Sequence, residues 1–446
     1  MTFALLYLQK RHMKRITLIA CTLMMTAAAK AQPYVSYLVG DAADVVTVTT
    51  AGTVLMGGAG ENDNAVRWFL ERAGGGDVLV LRTTGEDGYN DYFYSDLDIT
   101  LNSVETIVCT GPASGSDPYV VQQIQNAEAI WFAGGDQWEY ISYWKDTPAE
   151  DALNAHIQVK QAPIGGTSAG CAIQGEAYFS AENGTITSTQ ALNDPYHNLM
   201  TIGVGDFLIN PATTGIITDT HYDNPDRRGR QTAFLAHLLQ ETGTMFYGIG
   251  VDEYTAVCID ENRIAHIYGS YPDYDDYAYF LQPNCVLPNT PEVCADGEHL
   301  TWDREDAALK VIRIPGTEDG SGTVDLNDWK SVSGDDWQWQ NWWVEDGEWY
   351  VSEEAAAIDC AVSVQNIGSV RPFTLYPQPA SASVSLQSNV PEATPYAIYD
   401  LFGRLLLNGS TAGAVTTVDL SGLAPGSYMV ILRHNDQNAS AVLIKQ

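Results

Sequence analysis

Positive charge is scarce in this chain. Only 22 Lys and Arg stand against 56 Asp and Glu, a formal charge of −34 over 446 residues. Residues 1–31 hold five of those cations and no acid, so the remainder carries −39. Such a body repels phosphate backbones, which excludes binding of DNA or RNA through its phosphates. Cysteine is sparse too: seven residues, at spacings that match no zinc site. Past the first 31 residues no stretch approaches the ~20 apolar residues of a membrane helix. Repeats and long low-complexity tracts are absent. With 45% hydrophobic and 17% charged residues the chain is of globular composition, and its length implies two or three domains.

The amino terminus has the pattern of an export signal. Met13-Lys14-Arg15 is basic, Ile16 to Ala29 is apolar, and Ala29-Lys30-Ala31 is an A-x-A cleavage site. A lipoprotein signal ending at Cys21 is the competing reading. Counted from Met13, it leaves almost no apolar core. Export permits disulfides, and a Cys285–Cys294 bridge would close a short Pro/Asn-rich loop.

From Ala51 to Ala265, short apolar strands such as GTVLMGG, DVLVLRT, AIWFAGG and GIITDTH alternate with helical segments. This alternation predicts an α/β fold, a mostly parallel sheet flanked by helices, with ligands at the carboxyl ends of the strands. Residues 301–368 read as a Trp-rich β extension, its tryptophans better suited to a core than to sugar stacking. Within it, EDGSGTVDLND lacks the acid ladder of a calcium loop and reads as a turn. Residues 369–446 read as a small β-sandwich. The expected domains are therefore a signal at 1–31, a catalytic α/β domain at 32–300, the extension at 301–368 and the sandwich at 369–446.

Ser168 stands in Gly166-Thr167-Ser168-Ala169-Gly170, a G-x-S-x-G pattern that can seat a nucleophile on a strained strand-to-helix turn. The same letters suit an ordinary glycine-rich turn, so the partners decide. His221, at the end of an apolar strand, is the best base and is expected at the same sheet edge as Ser168; His197 is the runner-up. His156 and His237 fall on helices. Glu253 follows another strand and can orient the imidazole, with Asp219 and Asp252 as alternatives. The Gly134-Gly135 turn is either a plain turn or a source of oxyanion donors, with the Ala169 N–H as the second.

Five stretches, in order, resemble the cyanophycinase family of serine peptidases, relatives of dipeptidase E on a class I glutamine amidotransferase-like fold: MGGAGEND, FAGGDQ, GGTSAG, DTHYDNPDRRGR and GIGVDEYTA. The resemblance implies Ser168, His221 and Glu253 as catalytic triad and Gln137, Arg227 and Arg230 as substrate-binding residues; beside that triad the two turns offer Gly135 and Ala169 as oxyanion donors. It calls for no metal and no cofactor. Thr220 and Pro225 replace a glutamine and an arginine of the family pattern, so the implication reaches peptidase chemistry further than it reaches the cyanophycin polymer. The tail resembles the sorting domain of type IX secretion through Tyr376-Pro377, Asp400, Gly403-Arg404, Leu423 to Tyr428 and Lys445-Gln446.

Together these features predict a secreted or cell-surface serine hydrolase that cleaves an amide or isopeptide bond beside aspartate. Its expected partners are a peptide or polymer substrate and the outer-membrane secretion machinery; a homodimer is open to it. The rival reading is a catalytically silent surface protein that binds glycan or peptide on the same fold.

Overall fold

The computed structural model describes residues 32–353, 373–377, 379–388, 393–399, 405–411, 415–434 and 437–446. The signal segment, Cys360, Asp400, Gly403 and Arg404 lie outside the described residues. The chain divides into two compact units, 1–358 and 359–446.

The first unit is built on two sheets. One has ten strands, and five of them run parallel at its centre: Ser103–Cys109, Asp77–Arg82, Ala129–Phe132, Ile164–Thr167 and Gly52–Met56. Ala256–Asp260 and Ile264–Tyr268 continue it antiparallel. The other has eight strands, in which Ala177–Phe179, Ile216–Asp219 and Tyr247–Val251 run parallel. Tyr277–Pro283, Leu309–Pro315, Gln338–Glu345 and Glu348–Ser352 then extend it antiparallel.

Alternation along the central strands explains the layers. Val78, Val80, Ala129 and Trp131 face the helix Asp63–Glu71, which buries Ala65, Val66, Phe69 and Leu70 against them. Asn62 caps this helix by accepting from the Asn64 and Ala65 N–H groups. Leu79, Leu81, Ile130 and Phe132 point the other way, beneath helices Pro118–Asn126, Gln137–Trp144 and Pro148–Ala155. Over the rest of that face the second sheet takes the place of helices: Leu55, Val257 and Ile267 pack with Ile216, Ile249 and Phe280. The fold is thus α/β with a parallel core, but a helix layer covers only part of one face. The β extension makes this possible by widening the second sheet.

Three tryptophans of that extension are core residues, and Trp337, Trp339, Trp343 and Trp349 are half-buried against the core. Trp302 and Trp342 are fully buried and Trp329 nearly so. Trp342 stacks on Tyr222, the residue after His221, with ring centroids 6.4 Å apart. The EDGSG segment is a turn, where Asp319 accepts from Thr317 Oγ1 and the Ser321 N–H. Cys285 is disulfide-bonded, but not to Cys294, whose thiol is free. The expected short loop is therefore not closed.

The second unit contains sheets of three and four strands around Phe373, Leu386, Ile398, Val430 and Leu443.

Candidate active site

Ser168 follows Ile164–Thr167 of the first sheet. His221 lies two residues past Ile216–Asp219, and Glu253 two past Tyr247–Val251, both in the second sheet. Serine and histidine therefore come from two sheets and not from one edge, because the strand carrying His221 pairs only within the second sheet. Ser168 Oγ lies 2.8 Å from His221 Nε2, and His221 Nδ1 lies 2.6 Å from Glu253 Oε1. With Nδ1–H donated to the carboxylate, Nε2 is left as the acceptor for the serine hydroxyl. Asn224 Nδ2 reaches the second Glu253 oxygen at 3.4 Å, and Asp223 Oδ1 accepts the Glu253 N–H at 2.9 Å.

What registers the two sheets is the exit of the strand Gly52–Met56. The Met56 carbonyl accepts the Ser168 N–H at 3.0 Å, the Gly57 carbonyl the His221 N–H at 2.8 Å, and the Gly58 carbonyl the Tyr254 N–H at 3.0 Å. Three consecutive peptide groups thus hold the serine, the histidine and the residue after the glutamate. Only glycine fits here. A Cβ on Gly57 would stand 1.8 Å from the Asp252 oxygen, and one on Gly58, at φ +114, 2.4 Å from His221 Nε2. In the sequence this Met-Gly-Gly stretch shows as the end of an apolar strand and as one of the family-like motifs, without marking the residues it registers. Its signal was the glycine pair directly after a buried strand. Gly58→Ala is expected to displace the imidazole and cut reaction of Ser168 with a serine-directed probe at least ~100-fold, which labelling rates against wild type would measure.

Ser168 has φ 53 and ψ −116, a region that costs a non-glycine residue about 1–3 kcal/mol. Cys171, one turn into the following helix, is fully buried, and burial raises its thiol well above the usual range, so it is inert. The hydroxyl of Thr218 donates to the Cys171 carbonyl at 2.9 Å, a second tie between the serine's helix and the histidine's strand.

The Gly134-Gly135 turn faces the serine: a Cβ on Gly134 would lie 3.5 Å from Ser168 Cβ. Ala169 opens its helix, so its N–H has no intrahelical acceptor. A cavity of 330 Å³ opens over Ser168 and His221, and Glu61, Arg82 and Tyr89 line it. The Tyr89 hydroxyl donates to Glu61, while Arg82 donates to the carbonyls of Thr84 and Glu86. Among the described residues neither Glu61 nor Arg82 forms an ion pair. Sequence reasoning missed all three, because nothing local marks them.

Residues 82–267 match the model of peptidase family S51, and residues 374–446 that of the secretion system C-terminal sorting domain. The S51 match covers less than half of the chain. The chain is 26% identical over 155 residues to a cyanophycinase of Geminocystis herdmanii, covering 35% of this chain and 51% of that protein. It is 24% identical over 207 residues to a cyanophycinase of Synechococcus elongatus, covering 45% and 59%. The chain thus spans about half the length of the curated relatives it matches. The solved structure of a peptidase from an acI-B1 actinobacterium aligns with TM-score 0.38 at 13% identity, over 50% of this chain and 89% of that one. The match of the tail to a secretion sorting domain supports export of the chain.

Among the expected substrate residues, Arg230 differs from expectation. Arg230 is 3% exposed, and its guanidinium is committed to Asp219, with Nε to Oδ2 at 2.8 Å and Nη2 to Oδ1 at 2.5 Å. It also donates to the Ile186 carbonyl, so it cannot hold a substrate carboxylate. Gln137 opens the helix Gln137–Trp144, with its amide 3.5 Å from the Phe179 carbonyl. Arg227 donates to the Thr220 carbonyl and forms no ion pair among the described residues. Burial, and after it Arg230, lower its pKa to about 10. His197 accepts the Leu199 N–H and His156 meets the Pro163 carbonyl; neither bonds to Ser168.

Proposed function

We propose that the chain is a secreted serine peptidase in which Ser168, His221 and Glu253 act as nucleophile, base and orienting acid. The observation that carries this reading is the continuous hydrogen-bonded path from Ser168 Oγ through the imidazole to Glu253, on a serine held at positive φ. Ser168 Oγ attacks an amide carbonyl as His221 Nε2 takes its proton. The N–H groups of Gly135 and Ala169 bind the resulting oxyanion. His221 then returns the proton to the leaving amine, and water, deprotonated by the same imidazole, releases the acyl group.

The scissile bond is an amide or isopeptide bond beside aspartate. Arg227 and Arg82 supply guanidinium groups for the carboxylate, Gln137 adds an amide, and Glu61 excludes a second acid from the cavity it lines. Glu61→Gln is accordingly expected to raise kcat/KM for substrates with an extra carboxylate about tenfold, equal to ~1.4 kcal/mol, as competition between neutral and acidic peptides would show. The rival binding reading loses two of its aromatic platforms, since Trp302 and Trp342 are consumed in the core.

The test is labelling by a fluorophosphonate, with Ser168→Ala as control, followed by digestion of α-aspartyl, β-aspartyl and cyanophycin substrates read by mass spectrometry. Labelling that persists in Ser168→Ala, or is missing from the folded wild type, defeats the reading. Cleavage of only non-aspartyl peptides would leave the triad and overturn the substrate class.

A further inference from the structure

Asp252 adjoins Glu253 in the chain, yet it is buried, with 2% of its surface exposed. Its Oδ2 accepts the Tyr277 N–H at 3.2 Å, and its own N–H donates to the Tyr277 carbonyl at 3.1 Å. These two bonds dock the Glu253 turn on the strand Tyr277–Pro283. The Asp252 carbonyl accepts the Thr255 N–H at 3.3 Å and abuts Gly57, whose own carbonyl holds the His221 N–H. Asp252 therefore touches both the turn that carries Glu253 and the peptide groups that register the site.

Its other carboxyl oxygen, Oδ1, is buried and has no hydrogen-bond partner. An ionised carboxylate with an unsolvated, unpartnered oxygen is costly to bury; a neutral acid is far less so. No cation pairs with it among the described residues. Asp223 faces it from the turn after His221, with Asp276 beyond, and the Tyr222 hydroxyl is likewise buried without a partner. Tyr279 faces it from the next strand. Arg228 is paired with Asp226, and Arg313 lies over the Tyr277 ring at 3.5 Å, so neither cation forms an ion pair with Asp252.

We propose that Asp252 is a positioning residue for the Ser168–His221–Glu253 path and works as an uncharged carboxylic acid. Neutral, it keeps the Glu253 turn docked; ionised, it is repelled by Asp223 and forced toward water, and the turn that aims Glu253 loosens. Burial first, and then Asp223, push its pKa up to about 8, against the pull of the Tyr277 N–H, Arg228 and Arg313. Reactivity then falls as Asp252 loses its proton. The inference rests on the serine-peptidase reading, since Glu253 is what it positions.

The experiment measures the fluorophosphonate labelling rate of the full chain from about pH 6 to about pH 10, with melting curves over the same range. At pH 9 about a tenth of Asp252 remains neutral, so the wild-type rate falls about tenfold from its value near pH 7. Asp252→Asn, isosteric and never charged, keeps the neutral-pH rate and loses the alkaline fall. Asp223→Asn keeps an acceptor for the Glu253 N–H, removes the facing charge and moves the fall to higher pH. A wild-type rate that stays level to pH 9, or a fall undiminished in well-folded Asp252→Asn, overturns the proposal. If Asp252→Asn does not fold, an unmoved fall in Asp223→Asn does the same. Should the wild type never label, the serine reading fails instead. Asp252 is then judged by melting alone: the stability advantage of Asp252→Asn over wild type must widen from about pH 6 to about pH 8 and level off above it, and a gap that is constant below pH 8 overturns the neutral form.

Discussion

Ser168→Ala and His221→Ala are each expected to lower amide hydrolysis by about 10⁴-fold or more, with the double variant no slower than the worse single. The geometry dictates the pattern. The serine hydroxyl is a poor nucleophile unless its proton leaves for Nε2, 2.8 Å away, and the imidazole has no other bond to make on that side. Once either partner is gone the other has nothing left to contribute. Residual rate comes from the oxyanion donors and substrate placement, which neither substitution touches. Glu253→Gln falls short of that loss because the ring stays in place; an amide nitrogen facing Nδ1 favours the wrong tautomer, at about 10²–10⁴-fold. Measurement is of kcat/KM on whichever aspartyl peptide is cleaved. Losses that multiply in the double variant would mean that serine and histidine act separately.

Folding of these variants should be unaffected. Alanine keeps the Cβ that Ser168 already carries at φ 53, so no new strain arises, and the Ser168 N–H still reaches the Met56 carbonyl. This separates chemistry from stability more cleanly than Gly58→Ala, which moves the ring by steric contact.

How much of this was legible beforehand follows from how local each signal is. Gly-Thr-Ser-Ala-Gly after a short apolar run reports a strained turn, because the glycines and the strand lie within five residues of the serine. The ends of Ile216–Asp219 and Tyr247–Val251 are also legible, since buried parallel strands read as apolar runs. The split into two sheets was not. The runs that carry Ser168 and His221 look alike, and only long-range pairing assigns them to different sheets. Tyr222 shows the same limit. Its burial under Trp342 joins residues 120 positions apart in sequence, so the floor beneath His221 could not be read from either segment. Glu61, Arg82 and Tyr89 meet at the cavity from the exits of two strands, a convergence that belongs to topology alone.

Arg230 marks the point where residue type pointed the wrong way, and it supplies the second large effect. Arg230→Met is expected to destabilise the first unit by about 3–5 kcal/mol, lowering Tm by about 10 °C, with no specific loss of substrate affinity in the protein that remains folded. The arginine makes a two-bond pair with Asp219, whose side chain is 2% exposed, and it adds the Ile186 carbonyl and the faces of Phe179 and Phe234 at 5.3 and 5.8 Å. Removing the cation leaves Asp219 charged and buried at the end of the strand that delivers His221. Adding Asp219→Asn should therefore restore much of the lost stability, because the uncompensated charge is what costs. Arg227→Met should behave in the opposite way. Its guanidinium has no carboxylate partner among the described residues, so melting changes little while KM for aspartyl peptides rises. Calorimetry and kinetics on the three variants decide between these roles. An Arg230→Met protein that melts like wild type and differs only in KM would return Arg230 to the substrate pocket.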